Sequence, residues 1–217
     1  MNISAMFWDR LANNFDEQEG QYKHTHLKTV ENVTKYLNAN DLVLDYGCAT
    51  GKTACEIAGQ VKEVRGIDFS SKMIAAAKRN AAERKIQNTD FTQATIFDQR
   101  LKQESFDVIL AFGILHLLKD PSQAIQRINK LLKPGGWFVS STACMGDDET
   151  IPTVINNILF IPSRIGIFPY LRFLKISELE HSITHGKFQI VETETLTFGP
   201  TDDQAYIIAR FVAAKKV

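Results

Sequence analysis

The chain has no surplus of either charge: 25 basic and 25 acidic side chains leave a formal net charge of zero. An electrostatic grip on nucleic acid needs a basic excess or stripe, so no nucleic-acid partner is expected. Cysteine is scarce. Cys48, Cys55 and Cys144 are too few and too irregularly spaced for a disulfide framework or a zinc site. A reducing cytosol is therefore the expected compartment. No stretch reaches the roughly 18 uninterrupted apolar residues of a membrane-spanning helix. The amino terminus lacks a basic segment followed by a long apolar run, so no secretory signal is expected. No cluster of metal-ligating side chains stands out, and no metal is expected. What remains is 217 residues, 44% of them hydrophobic, enough for one domain over 1–217 with a full core and a small lid.

The informative stretch is Val43-Leu44-Asp45-Tyr46-Gly47-Cys48-Ala49-Thr50-Gly51. A short run of strand-forming residues breaks into a glycine turn, and Thr53, Ala54, Ile57 and Ala58 follow at helical spacing. A strand passing through such a turn into a helix places unpaired backbone N–H groups beside an open pocket. Gly47 has no β-carbon, which lets a ligand lie against the main chain. Asp45 adds a negative acceptor at the end of the strand.

Three nucleotide-binding patterns compete here, and spacing separates them. The dinucleotide fingerprint G-x-G-x-x-G, begun at Gly47, needs glycines where Ala49 and Lys52 stand. A phosphate loop ending in Gly51-Lys52-Thr53 would place its first glycine on Tyr46. The spacing D-x-G-x-x-x-G fits, with Asp45, Gly47 and Gly51. This resembles the first motif of the class I S-adenosylmethionine-dependent methyltransferases, in which a middle glycine is common where this chain has Ala49.

The remaining chain reads as alternating strands and helices. Leu27, Val30, Val33 and Leu37 predict a helix, stopped by Asn38-Ala39-Asn40-Asp41. Lys62 to Asp68 predicts a second strand, and Ser70 or Ser71 can cap the helix carrying Met73, Ile74, Ala77 and Ala81. Asp68 lies 17 residues past Gly51. That agrees with the roughly 20-residue offset at which a strand-end acid accepts hydrogen bonds from ribose hydroxyls. Thr89 to Ile96 is a third strand and Ser105 to Phe112 a buried fourth, followed by Gly113-Ile114-Leu115-His116. Pro121 opens a helix, and Leu132-Lys133-Pro134-Gly135-Gly136 turns into a fifth strand. Ser177 can cap a helix from Glu178, Gly186 leads into strand six, and Tyr206 to Ala214 returns as strand seven. The turn Gly199-Pro200-Thr201-Asp202-Asp203 demands antiparallel pairing of those last strands. The expected architecture is α/β: a Rossmann-like, doubly wound seven-stranded sheet, mostly parallel with strand seven antiparallel.

The resemblance covers Val43 to Val139 and extends to the carboxyl-terminal hairpin. It implies that Asp45 and the turn Gly47, Cys48, Ala49 and Gly51 hold the amino-acid part of S-adenosyl-L-methionine. Asp68 would take the ribose. Phe69, Met73, Gln93, Ala94 and Thr95 would surround adenine, with Ala111 and Phe112 at the end of strand four. Gln93 stands where the family usually has an acid, and Asp98 is the alternative. Met73 also suits the core. His116 is either structural or lines the donor or acceptor site, where it is the first candidate base for an acceptor that must lose a proton.

Two segments stay open. Residues 1–26 form a cap segment in which Trp8 and Phe15 either pack on the domain or, as the resemblance implies, close over the donor. Residues 145–176 are lid-like. Ile151 to Phe173 has too many prolines for one helix, and it either packs on the domain, encloses a greasy acceptor or touches a membrane surface through Arg164 and Arg172. The implied reaction is methyl transfer to a small or lipid-like acceptor such as a quinone precursor. The N/D-P-P-[YFW] signature of amino-directed nucleic-acid methyltransferases is missing at Phe112-Gly113-Ile114-Leu115. A nicotinamide oxidoreductase and a non-catalytic donor-binding module are the rivals.

Overall fold

Val43 and Leu44 are both fully buried, because the strand that carries them is the inner strand of a sheet covered on both faces. The structure, a computed structural model, describes residues 3–19, 23–147, 170–198 and 207–217. Seven strands form its sheet: β1 (Leu42–Tyr46), β2 (Glu63–Asp68), β3 (Thr89–Gln93), β4 (Phe106–Phe112), β5 (Leu132–Ala143), β6 (Phe188–Phe198) and β7 (Ile207–Lys216). Their spatial order is β3-β2-β1-β4-β5-β7-β6. The pairs from β3 through β5 are parallel, and β7 runs antiparallel to both β5 and β6. The Rossmann-like sheet with a reversed seventh strand is as expected.

Seven α-helices accompany the sheet among the described residues: α1 (Ile3–Leu11), α2 (Phe15–Glu19), α3 (Lys23–Thr34), α4 (Lys52–Ile57), α5 (Ser71–Glu83), α6 (Pro121–Leu131) and α7 (Ile176–His185). Strand alternation sends Val43, Val108 and Leu110 to one face, where they pack with Ala54, Ile57, Ile74 and Ala77 of α4 and α5. Leu44, Ile109 and Ala111 point to the other face and meet Ile125 and Ile128 of α6 and Leu179 and Ile183 of α7. Each such isoleucine or leucine contributes about 1.5–3 kcal/mol by leaving water. Capping fixes the helix starts. The Ser70 hydroxyl accepts from Met73 N at 3.1 Å, and the Asp120 carboxylate accepts from Gln123 N at 3.1 Å just before Pro121.

Three expectations are corrected. The helix α3 exists, but Leu27 is 51% exposed while Thr25, Thr29, Asn32 and Val33 are buried. Its inner face is polar because β6 supplies partners: Thr25 Oγ1 donates to the Thr197 carbonyl, and Asn32 Nδ2 donates to the Glu194 carboxylate. The helix α7 starts at Ile176 rather than Glu178, with the Glu178 carboxylate accepting from Lys175 N, so Ser177 lies in the first turn. The third strand ends at Gln93 rather than Ile96.

Most of the lid-like segment (148–169) and the turn Gly199–Asp203 lie outside the described residues. At the edges of the lid, Arg172 N donates to the His116 carbonyl and Gly146 N to the Leu174 carbonyl. Among the described residues no helix is long and apolar enough to cross a membrane. The sheet order reverses between β1 and β4, so the chain leaves their carboxyl ends in opposite directions and opens a crevice there.

Candidate functional site

The crevice is floored by the turn after β1. Gly47 and Gly51 sit at φ 77° and 75°, the left-handed region that glycine enters without steric cost. A β-carbon on Gly47 would come within 3.1 Å of the Ile114 side chain. Ala49 adopts φ 46°, so the residue that replaces the family's middle glycine carries backbone strain. The turn does not offer its amides to the crevice at four positions. Gly47 N and Cys48 N both donate to the Ile67 carbonyl, Gly51 N to the Cys48 carbonyl, and Ala49 N to Asp68 Oδ2.

Asp68 closes β2 opposite this turn. Its Oδ2 accepts from Ala49 N at 3.2 Å and its Oδ1 from Ser70 N at 2.8 Å, so one carboxylate ties together the loops that follow β1 and β2. Burial raises its pKa, opposed by those two backbone donors. Each oxygen keeps a further lone-pair direction for a hydroxyl donor.

Two cavities meet over this floor. The smaller, about 130 Å³, is lined by Asp45, His26, Thr29, Thr50, Lys52 and Ser141 among others. Asp45 is 3% exposed and its Oδ2 has no hydrogen-bond partner. Burial, then the neighbouring Asp68 charge, pushes its carboxyl up to about 7, while His26 pulls it down. A buried, unpartnered carboxylate oxygen is costly unless a donor or cation reaches it. The site fits a ligand with an ammonium group. His26 is itself bound to Glu56 at 2.6 Å, which holds the imidazole at the cavity wall.

The larger cavity, about 360 Å³, is mostly apolar. Trp8 and Phe15 of the amino-terminal helices, Phe69, Met73, Phe97, Phe112, Ile114, Leu117, Leu118 and Tyr170 supply its walls, and Asp68 reaches its edge. Such a wall of rings with one acid at the rim fits a nucleoside: the base against apolar faces, the sugar hydroxyls on the carboxylate.

Comparison with known proteins identifies the family. Residues 37–162 of the 217-residue chain match the family described as "Methyltransferase domain". The chain belongs to this methyltransferase family. It is an S-adenosylmethionine-dependent enzyme. Ubiquinone biosynthesis O-methyltransferase of Albidiferax ferrireducens is 26% identical over 205 residues, covering 90% of this chain and 80% of that protein. Among solved structures, YcgJ from Bacillus subtilis superposes with a TM-score of 0.70 at 19% identity, covering 88% of this chain and 99% of that one. Geranyl diphosphate C-methyltransferase from Streptomyces coelicolor, crystallised with Mg2+, geranyl diphosphate and S-adenosyl-L-homocysteine, gives 0.71 at 15% identity over 88% of this chain and 79% of that one.

In this methyltransferase, ten of the residues expected at the donor site line the two cavities: Asp45, Gly47, Cys48, Ala49, Asp68, Phe69, Met73, Ala94, Thr95 and Phe112. Four expected residues are not on those walls. Gly51 faces the core, where an added β-carbon would meet Phe91 and Ala77 within 2.9 Å. Gln93 is exposed and donates its amide to the Phe69 carbonyl, so it braces that loop. Ala111 is fully buried on the α6 face of β4. His116 is not among the residues that line either cavity. Its Nδ1 is buried without a partner, and burial pulls its pKa down to about 4, leaving a neutral, weakly basic ring. Asp98, the alternative acid near adenine, is paired with Arg100 at 2.7 Å instead. Among the described residues no group of three or more His, Cys, Asp or Glu side chains is placed to hold a metal ion.

The residues missed from sequence are Tyr46, Ile114, Leu117, His26, Thr29 and Ser141. Alternation gives the first, since Asp45 facing one side of β1 forces Tyr46 to the other. Nothing in the sequence brings α3 and the end of β5 to Asp45.

Proposed function

We propose that this methyltransferase transfers the methyl group to a small, apolar acceptor held in the larger cavity. The observation that carries the reading is the rest of that wall: besides Asp68, Phe69 and Met73, which the donor would use, it presents Trp8, Phe97, Ile114, Leu117, Leu118 and Tyr170. Asp45 would pair with the donor's ammonium group, and Asp68 would accept from its ribose hydroxyls. Phe69 and Met73 would lie against the adenine. When bound, the donor supplies a methyl group on a positively charged sulfur, which leaves with the carbon–sulfur electron pair as the acceptor's lone pair forms the new bond. The protein's part is alignment and exclusion of water, and orientation alone can contribute roughly 7–11 kcal/mol at its upper end.

The ubiquinone O-methyltransferase likeness supports a small-molecule acceptor of quinone-precursor type. The cavity's apolar walls suit the ring of such a molecule, and the exposed Phe97 at its edge suits an attached hydrocarbon tail. The test is transfer from methyl-labelled donor in a lysate supplemented with the enzyme, followed by solvent extraction. Label in the organic phase is expected. Label that stays with protein or nucleic acid contradicts the acceptor class.

A further inference from the structure

We propose that Phe15, carried on α2, is a donor-recognition residue. Its ring and that of Phe112 form an aromatic wall for the positively charged sulfur, and this wall favours the sulfonium donor over the neutral thioether product. The inference rests on the donor placement proposed above.

The two cavities share five lining residues: Phe15, Gly47, Ala49, Phe112 and Gly113. The donor's amino-acid chain and its adenosine are joined only through sulfur. With the ammonium end at Asp45 and the ribose at Asp68, the sulfur falls where the cavities meet. The side chains there are two phenyl rings and the Ala49 methyl, with no carboxylate among them. A cation in such a place is attracted by the negative face of an aromatic ring, as quaternary ammonium ligands are in aromatic cages.

Phe15 is held in position by its neighbours. The adjacent Asp16 accepts from the Thr50 hydroxyl and from Asn80 Nδ2, which fastens α2 to the turn after β1 and to α5. Trp8 presents an edge-on contact to Phe15, with ring centroids 6.2 Å apart and planes at 68°. The ring therefore arrives at the cavity junction as part of a fastened cap.

The attraction depends on the sulfur's charge, and methyl transfer removes that charge. The contact is thus stronger in the donor complex than in the product complex, and weakens already in the transition state. It selects the donor and eases product exchange rather than accelerating the chemical step.

The test is calorimetric titration of wild type, Phe15→Leu and Phe15→Tyr with S-adenosylmethionine and with S-adenosylhomocysteine. Leucine keeps apolar bulk and removes the ring. It is expected to lower affinity for the sulfonium by about five- to thirty-fold more than affinity for the thioether, with tyrosine restoring the wild-type ratio. An equal loss for both ligands, or no loss, shows a packing role and overturns the proposal. Failure of wild type to bind either ligand removes the donor site itself, and this inference with it.

Discussion

Asp45 is the penultimate residue of β1 and Asp68 the last of the adjacent parallel β2, and burial together with the Asp68 charge pushes the Asp45 carboxyl up to about 7. Near neutral pH the ligand-free carboxyl is thus partly protonated, and a cationic ligand would displace that proton. Donor affinity is expected to climb as pH rises through 7, with a proton released on binding. Titration calorimetry in buffers of different ionisation enthalpy measures that release, and Asp45→Asn should abolish it.

The same carboxyl has a stability consequence of opposite sign to its proposed binding role. Its folded-state pKa lies above the ordinary 3.8. The unfolded chain therefore gives up the proton first, and the contribution to stability is present at low pH and lost as pH rises from about 4 to about 7. At pH 8, Asp45→Asn should stabilise the ligand-free protein by on the order of 1–3 kcal/mol while weakening donor binding. Thermal melts of both proteins at pH 5 and pH 8 check this, since the difference should shrink at pH 5.

Ala49 occupies a left-handed conformation that glycine would adopt without strain. Ala49→Gly should raise stability by about 1 kcal/mol, less the entropy that glycine adds to the unfolded chain. Denaturant titration measures the change, and a loss of stability would show that the Ala49 methyl packs more usefully than its backbone strains.

Gly47 and Gly113 separate conformation from space. Both have positive φ, but a β-carbon on Gly113 meets nothing within 4 Å, whereas one on Gly47 crowds Ile114. Gly113→Ala should cost only the left-handed penalty of about 1–2 kcal/mol. Gly47→Ala should cost more, and chemical denaturation of the pair would show the ranking.

The helices α1 and α2 are fastened by two acids. Asp9 accepts from the Ser70 hydroxyl and from Lys72 N, and Asp16 from Thr50 and Asn80. Asp16→Ala removes contacts worth about 0.5–1.5 kcal/mol each at the edge of the fold. Donor affinity should fall about ten-fold with the main melting transition little changed. Hydrogen exchange of α1 and α2 should speed up in the same variant.

How much of this site is legible in the sequence follows from what kind of order each part has. The spacing Asp45-x-Gly47-x-x-x-Gly51 is local, and spacing alone locates the floor of the crevice. Strand ends are also local, so Asp68 and Phe112 are legible too. Side-chain direction beyond a strand end is not. Gln93 bonds a backbone carbonyl, and His116, in a single turn of 3-10 helix (Leu115–Leu117), does not line either cavity. The inner face of α3 escapes the sequence for a different reason: apolar periodicity cannot see that Thr197 and Glu194 make polar burial favourable. His26 and Ser141 meet at Asp45 only through tertiary packing.

The central claim is that the crevice over Asp45 and Asp68 binds the methyl donor. Its most direct measurement is calorimetric titration of the full chain with S-adenosylmethionine, run beside NADH, on wild type and Asp68→Ala. One site per chain for S-adenosylmethionine, no binding of NADH, and an affinity lowered by roughly 1.5–3 kcal/mol per charged hydrogen bond lost in the variant are the predicted result. Undiminished binding to a folded Asp68→Ala protein would contradict it.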